Sequence, residues 1–289
     1  MCIVCDPATI SKPSAMEIPP KPEVLPVIPE NIPAELTALD HWVLSRATWK
    51  AEGQKWDKPP LQISGKAARA NDPSTWVSFK VAYFHYRLKE FDYIGFVPTE
   101  ADGLVFLDLD CVVNPDGTLG TWSPELRSRF SGAVPGPAEL IAQLGTYAEL
   151  SPSGRGVRIV CKGSLPEGRR KIGGKGNGCP DGFEMYSALH YLTITGQRLT
   201  EAPPTVTDCT EKLAALHAAV FGKVELRPAT IPGPLPVTFL DDLAVIEKAS
   251  HSKGGERFVK LWNGNASGYA SRSEADFCPC WYFGVLVWS

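Results

Sequence analysis

The sequence lacks any run of eighteen apolar residues, and no basic segment followed by an apolar one opens the chain. The first absence excludes a membrane-spanning helix, and the second predicts no secretory signal peptide and no membrane partner. The chain also lacks a strong net charge, since 29 basic and 32 acidic residues leave −3 at pH 7. A basic field over the whole protein is therefore excluded, and any site for a polyanion must be a local patch.

The eight cysteines lack the spacing typical of a secreted disulfide framework. We therefore expect a reduced, cytoplasmic protein. Cys2 and Cys5 form a C-x-x-C pair, and Cys278 and Cys280 are the pair that would have to complete a zinc site. Because a single residue separates the second pair, unpaired thiols are the favoured interpretation.

Proline clusters divide the 289 residues into four segments. Residues 1–35 are expected to form an extended, poorly ordered leader. The main domain is expected over 36–222, followed by a proline-rich linker over 223–236. Residues 237–289 are predicted to form a small helical unit, in which the apolar run after Pro279 indicates truncation or a shifted reading frame.

The main domain is organised around one segment, Leu-Val-Phe-Leu-Asp-Leu-Asp at 104–110. Its apolar residues predict a buried strand, and residues 92–97 predict a neighbouring strand in a hairpin with it. At a two-residue period, Asp108 and Asp110 point to one face. Two close carboxylates repel unless a cation lies between them, and hard oxygen ligands suit Mg²⁺ or Mn²⁺. The simpler alternative is a strand end with solvated acids.

A loop of small residues, Ser-Pro-Ser-Gly-Arg-Gly at 151–156, leads into another predicted strand. Ser153, Gly154 and Gly156 allow the backbone to approach a ligand closely, and free N–H groups can cradle phosphate oxygens. Arg158 lies two residues beyond Gly156, so its side chain is expected on the same face as a phosphate-binding fork.

The most basic stretch, 167–178, is rich in glycine and predicts a mobile loop. Four of its residues are candidates for contact with a nucleic-acid backbone, although a solvated surface is the simpler alternative: Arg169, Arg170, Lys171 and Lys175.

The next predicted strand carries Glu184 at its centre, where an acid is unusual unless it is paired or binds metal. His190, which precedes a further strand, is interpreted as structural. Nearer the N-terminus, Lys50, Lys55 and Lys58 alternate with Trp56. Such a loop can contact phosphates and stack bases, but a solvated hairpin is the favoured interpretation.

The order of these motifs resembles the primase-polymerase domains of phage and plasmid replication proteins, in the archaeo-eukaryotic primase superfamily. The resemblance covers roughly 36–222. It is carried in chain order by Lys58-Pro59, Asn71-Asp72-Pro73-x-x-Trp76, Asp108-x-Asp110, Ser153-Gly154-x-Gly156-x-Arg158, Phe183-Glu184-Met185-Tyr186 and Tyr191-Leu-Thr-Ile-Thr-Gly196. Residues 261–276 resemble the region that joins such domains to a helicase.

The resemblance implies an α+β fold, with an N-terminal α/β unit packed on an RNA-recognition-motif-like sheet and the site in the cleft between them. It implies a template-dependent DNA primase or polymerase of a phage or other mobile element, and Asp108, Asp110 and Glu184 as ligands of two Mg²⁺ or Mn²⁺ ions. Partners would be single-stranded DNA template and primer, nucleoside triphosphates and a replicative helicase. The triphosphate would be bound by Ser153, Gly154, Gly156, Arg158 and, less directly, Lys58.

One residue departs from the family pattern, since many members have His at the position of Arg158. Arginine keeps a charge for triphosphate binding but cannot shuttle a proton. A catalytically degenerate DNA-binding replication module therefore remains an alternative. The residue that selects the nucleotide sugar is also open among Tyr147, Tyr186 and Tyr191.

A haloacid-dehalogenase-like phosphatase is the second alternative. In that interpretation Asp108 is the nucleophile and Asp110 the acid/base. It predicts a further acid pair at a strand end, for which only Asp241-Asp242 is available.

Overall fold

The computed structural model describes residues 18–173, 180–222, 242–251 and 255–265. The chain forms two units, Met1–Glu225 and Leu226–Ser289. Several predictions lie outside the described residues, namely those for the linker, for Lys175, and for the cysteine pairs Cys2/Cys5 and Cys278/Cys280.

The first unit mixes helices with antiparallel sheets, so the predicted α+β class is confirmed. Its strands are β1 (Trp42–Ser45), β2 (Thr48–Lys50), β3 (Lys55–Asp57), β4 (Pro60–Leu61), β5 (Tyr93–Phe96), β6 (Leu104–Asp110), β7 (Ala148–Leu150), β8 (Val157–Lys162), β9 (Lys171–Gly173), β10 (Gly182–Tyr186) and β11 (Leu192–Ile194). Its α-helices are α1 (Ala34–Thr37), α2 (Phe79–Arg87), α3 (Pro124–Arg129), α4 (Pro137–Leu144) and α5 (Thr210–Phe221).

The strands form two larger sheets and a separate hairpin. The first sheet has the order β11-β5-β1-β4, the second sheet β7-β8-β6-β10-β9, and β2 pairs with β3 alone. The predicted hairpin of β5 with β6 is wrong, because these consecutive strands lie in different sheets. A short 3-10 helix at Glu100–Asp102 and Gly103, at φ 60°, turn the chain between them.

The second sheet is covered on both faces, which explains the continuous apolar run of β6. Leu104 and Phe106 belong to a core shared with the first sheet, where the Phe96 and Phe106 rings lie 5.6 Å apart. Val105 and Leu107 belong to a second core, built against α3, α4 and α5. The even-numbered residues of β6 therefore face the first sheet, and Asp108 and Asp110 continue that face.

Local capping residues mark two helix starts and one helix end in this unit. Asp72 accepts a hydrogen bond from the Ser74 amide, but it caps only a 3-10 helix at Pro73–Thr75. The longer helix α2 begins later, at Phe79, with Ser78 as its cap. Helix α4 ends at Gly145, which adopts the left-handed conformation that favours glycine at such a position.

The end of the expected leader packs on the first unit. The Leu25 amide donates to the Pro152 carbonyl at 2.8 Å and the Ile28 amide to the Thr195 carbonyl at 2.7 Å. Ile32 is buried in the core between the sheets. Residues 25–35 are thus part of the domain, because an extended proline-rich segment still offers carbonyls and its remaining amides for pairing.

The second unit contains α6 (Asp242–Ser250) and α7 (Gly255–Trp262). Asp242 therefore begins a helix rather than ending a strand, and Asp241 lies outside the described residues. Over the ranges that the structure describes, no helix combines the length and hydropathy needed to cross a bilayer. Cys161 and Cys209 are buried free thiols, whereas Cys111 is disulfide-bonded.

Candidate active site

A row of five charged residues crosses the second sheet. The strand register pairs Glu149 with Arg158, Arg158 with Asp108, Asp108 with Glu184, and Glu184 with Lys171. Residues paired directly across neighbouring strands share one face of a sheet. All five side chains therefore lie on the face toward the first sheet, and we call them the charged row.

The strand register places the three predicted metal ligands on one face of the second sheet. Glu184 lies opposite Asp108, and Asp110 lies on the same face opposite Gly182. Burial, followed by the charges of Asp108 and Glu184, raises the pKa of Asp110 to about 6. A Cβ on Gly182 would lie 3.1 Å from an Asp110 carboxylate oxygen, so the glycine leaves room for that carboxylate.

Arg158 is buried between the sheets, with 5% of its surface exposed. Its Nε lies 3.4 Å from Asp108 Oδ1, and its Nη1 donates to Thr193 Oγ1 at 2.6 Å and to the Thr193 carbonyl. These contacts commit the guanidinium to Asp108 and to β11. Contact of Arg158 with a phosphate stays a prediction, since among the hydrogen bonds that the structure shows for the guanidinium only Nη1 is a donor.

Glu149, which sequence reasoning passed over, is fully buried beside Arg158. It accepts hydrogen bonds from Tyr147 Oη at 2.7 Å, the Thr195 amide at 2.9 Å and the Gly196 amide at 2.7 Å. Burial raises the pKa of Glu149, and these hydrogen bonds oppose that rise. Glu149 and Arg158 together fasten β11 to the second sheet. The only available sequence signal was an acid in an otherwise apolar strand.

The other end of the charged row surrounds Glu184. Lys171 Nζ and Tyr186 Oη both donate to its carboxylate. The His190 ring stacks on Tyr186, with centroids 3.8 Å apart and planes at 11°. Burial lowers the pKa of His190, while the charges of Glu184 and Asp108 raise it. His190 therefore lies near the acids, a placement that its isolated position in the sequence did not reveal.

Lys58 reaches the same acids from the segment after β3. Burial, and then the charge of Arg158, lowers the pKa of Lys58, whereas Asp108 and Asp110 raise it. Tyr191 Oη donates to the Lys58 carbonyl, which holds this segment against β11. Lys58 lies near enough to Asp108 and Asp110 for their charges to act on it, and its contact with a triphosphate stays a prediction.

The Ser-Gly loop lies at the acidic end of β6. The Gly154 amide donates to the Ser151 carbonyl at 2.8 Å, and the Gly156 amide to Ser151 Oγ at 3.1 Å. A Cβ on Gly156 would lie 2.8 Å from the Leu109 carbonyl oxygen, so a glycine is needed for this close approach. Ser153 Oγ lies 3.2 Å from Ser151 Oγ. The two glycine amides expected to cradle phosphate are therefore already bonded within the loop.

The predicted basic cluster does not form a single surface. Lys171 lies in strand β9, not in a loop, and its side chain reaches Glu184. Arg170 Nη1 donates to the Pro166 carbonyl and lies 3.2 Å from His217 Nε2 of α5, on the opposite face of the sheet. Arg169 is exposed. The side chains of successive residues in an extended chain point to opposite faces, so those of Arg170 and Lys171 lie on opposite sides of the sheet.

The three carboxylates have the chemistry of a site for a hard divalent cation. In the described residues, no three His, Cys, Asp or Glu side chains lie close enough together to hold a metal ion as they stand. Instead Arg158 neutralises Asp108 and Lys171 neutralises Glu184. Burial and the neighbouring charges of Asp108 and Glu184 raise the pKa of Asp110 despite these two cations. The donor set therefore fits such an ion, in competition with the two cations.

The fold is of the α+β class, with acids and cations on one face of its second sheet. No protein-family model matches the chain. The chain is similar to the DNA primase-polymerase of Nitratiruptor phage NrS-1, with 28% identity over 224 residues. The similarity covers 75% of this chain and 27% of the phage protein, so the chain spans about a quarter of that relative. This similarity supports a primase-polymerase domain.

Proposed function

We propose that this chain is a template-dependent DNA primase or polymerase of a phage or other mobile-element replication system. It would transfer a nucleotide from a nucleoside triphosphate to a 3′-hydroxyl, with release of pyrophosphate. The observation that carries the proposal is the register that sets Glu184 opposite Asp108, with Asp110 on the same face. The similarity to the phage primase-polymerase supports DNA and nucleotides as the substrates.

Asp108, Asp110 and Glu184 would hold divalent cations, Mg²⁺ or Mn²⁺. When bound, such ions supply Lewis-acid stabilisation of the phosphoryl oxygens and of the attacking hydroxyl. Phosphoryl transfer requires mainly positioning and charge stabilisation from the protein. Arg158 holds the Asp108 carboxylate in place, while Lys58 and Lys171 supply positive charge toward the triphosphate.

The partners in this proposal are a single-stranded template, a primer and nucleoside triphosphates, with a replicative helicase acting on the same DNA in the cytoplasm. Ser153, Gly154 and Gly156 would contact the triphosphate from the loop beside Asp110. Because the Gly154 and Gly156 amides are bonded within the loop, contact there requires either the Ser153 hydroxyl or a rearranged loop.

A second candidate is a DNA-binding replication module without catalysis. It is favoured by one observation, the pairing of Asp108 with Arg158 and of Glu184 with Lys171. If these ion pairs exclude metal when it is supplied, the acids do not serve as ligands.

Primer extension by the purified chain with Mg²⁺ or Mn²⁺ and labelled nucleotides tests these functions. We expect product growth in wild type and in the exposed-acid control Glu211→Gln, and loss of growth in Asp108→Asn and Glu184→Gln. DNA binding without extension would identify the non-catalytic module. Phosphate release from a monoester without template would identify the phosphatase alternative.

A further inference from the structure

The β2–β3 hairpin stands apart from both larger sheets and pairs only with itself. Its register sets Trp49 opposite Trp56 and Lys50 opposite Lys55. The two indole rings meet at 5.6 Å and 61°, and both tryptophans are partly exposed. An isolated two-stranded hairpin is marginally stable, and this tryptophan pair is an apolar contact between its two strands. The hairpin thus presents aromatic surface beside cations.

Among the residues that the structure describes, the lysine pair has no ion-pair partner. Like charges directly opposite on neighbouring strands destabilise a sheet. Lys50 and Lys55 are exposed, and neither belongs to an ion pair formed between described residues. An anion placed between the two ammonium groups would relieve their repulsion. A backbone phosphate is such an anion, and each phosphate contact by a lysine strengthens nucleic-acid binding.

The hairpin is continuous with the candidate active site. Lys58 directly follows the last residue of β3. Strand β11 carries Thr193, which accepts a hydrogen bond from Arg158, the ion-pair partner of Asp108. The Tyr191 hydroxyl holds the Lys58 carbonyl beside β11. A strand of nucleic acid lying on the hairpin would therefore be led toward the acids.

We infer that the β2–β3 hairpin binds single-stranded nucleic acid, with a base stacked on Trp49 and a backbone phosphate between Lys50 and Lys55. Stacking requires an unpaired base, so the site discriminates against duplex. That the bound strand is the template rests on the proposed function. The binding itself requires neither metal nor nucleotide.

Fluorescence anisotropy with a labelled single-stranded oligonucleotide, in EDTA and without nucleotides, tests the inference. Loss of one stacking contact costs about 1–3 kcal/mol, so we expect Trp49→Ala to weaken binding about tenfold and Trp49→Phe to restore most of it. Lys50→Gln/Lys55→Gln should lower the slope of log Kd against log salt by about 1 to 2. Lys80→Gln and Trp262→Ala, at an exposed lysine and an exposed tryptophan elsewhere, serve as matched controls.

The lysine variant changes only exposed side chains, so it keeps the test valid if Trp49→Ala fails to fold. Equal affinity and equal salt slope for the lysine variant and Lys80→Gln would overturn the inference. If hairpin variants lose binding while wild type never extends a primer, the inference stands and the proposed function fails. If the variants bind and extend as wild type does, the inference fails and the proposed function stands.

Discussion

Arg158 faces Asp108 across β8 and β6, with its Nε 3.4 Å from Asp108 Oδ1. The same guanidinium donates to Thr193 in the first sheet, and Glu149 flanks it on the other side. Many members of the family that the sequence resembles have His at this position. Here the arginine acts as a buried counter-ion that joins the two sheets, so its replacement should affect folding more than substrate contact.

We expect Arg158→Ala to lower the free energy of unfolding by about 3 kcal/mol, because it leaves Asp108 and Glu149 without their shared cation. Arg158→Lys keeps the charge but loses the fork to Thr193, so it should be intermediate. Urea titration measures the free energy of unfolding of both variants. For the folded Arg158→Lys protein, the KM for the nucleoside triphosphate should stay within about twofold of the wild-type value. A large rise in KM at unchanged stability would instead show that Arg158 contacts the triphosphate.

Asp110→Asn should stabilise the metal-free protein at neutral pH. The pKa of Asp110 is raised from 3.8 to about 6 in the fold, so its ionisation opposes folding. This penalty is complete above about pH 6, and it disappears as the pH falls toward 3.8, the pKa of Asp110 in the unfolded chain. We expect a gain of about 1–3 kcal/mol at pH 7.5 that vanishes near pH 4, measured by urea unfolding in EDTA. A gain that is independent of pH would indicate a packing effect, and primer extension should be lost in either case.

Mn²⁺ should raise the melting temperature of the wild-type protein, since an ion that binds only the folded state stabilises it. Asp108→Asn and Glu184→Gln should lose this shift, whereas Glu211→Gln should keep it.

Lys171→Gln should bind Mn²⁺ more tightly, because Lys171 competes for the Glu184 carboxylate. The Lys171 side chain is 66% exposed, so its loss should cost less than about 1 kcal/mol of stability. An unchanged or weaker Mn²⁺ affinity in Lys171→Gln would contradict this competition.

Of the three tyrosines predicted to select the nucleotide sugar, Tyr147 is fully buried and bonded to Glu149. Tyr147→Phe should therefore destabilise the fold by about 1–2 kcal/mol without changing the ratio of ribonucleotide to deoxyribonucleotide incorporation. Tyr186 and Tyr191 are partly buried, and their hydroxyls bond to Glu184 and to the Lys58 carbonyl.

We expect Tyr186→Ala or Tyr191→Ala to change that incorporation ratio, measured by competing labelled nucleotides in primer extension. A changed incorporation ratio in Tyr147→Phe alone would contradict the assignment of Tyr147 to the core.

The sequence by itself determined which residues share a face within one strand. The two-residue period of an extended chain put Asp108 with Asp110, and the apolar run before them required burial. An acid flanked by bulky residues singled out Glu184, and the order of the motifs was sufficient to recognise the primase-polymerase resemblance. All of these inferences depend on residues that are neighbours in the chain, except the resemblance, which depends on the order of motifs along it.

Only the tertiary structure decided which strands pair and in what register. It placed β5 and β6 in different sheets, set Glu184 opposite Asp108, buried Arg158 between Asp108 and Glu149, and brought His190 beside Tyr186. A shift of one residue in register would have moved Glu184 to the helical side of the sheet. Pairing between distant strands depends on the packing of both sheet faces, which no local pattern encodes.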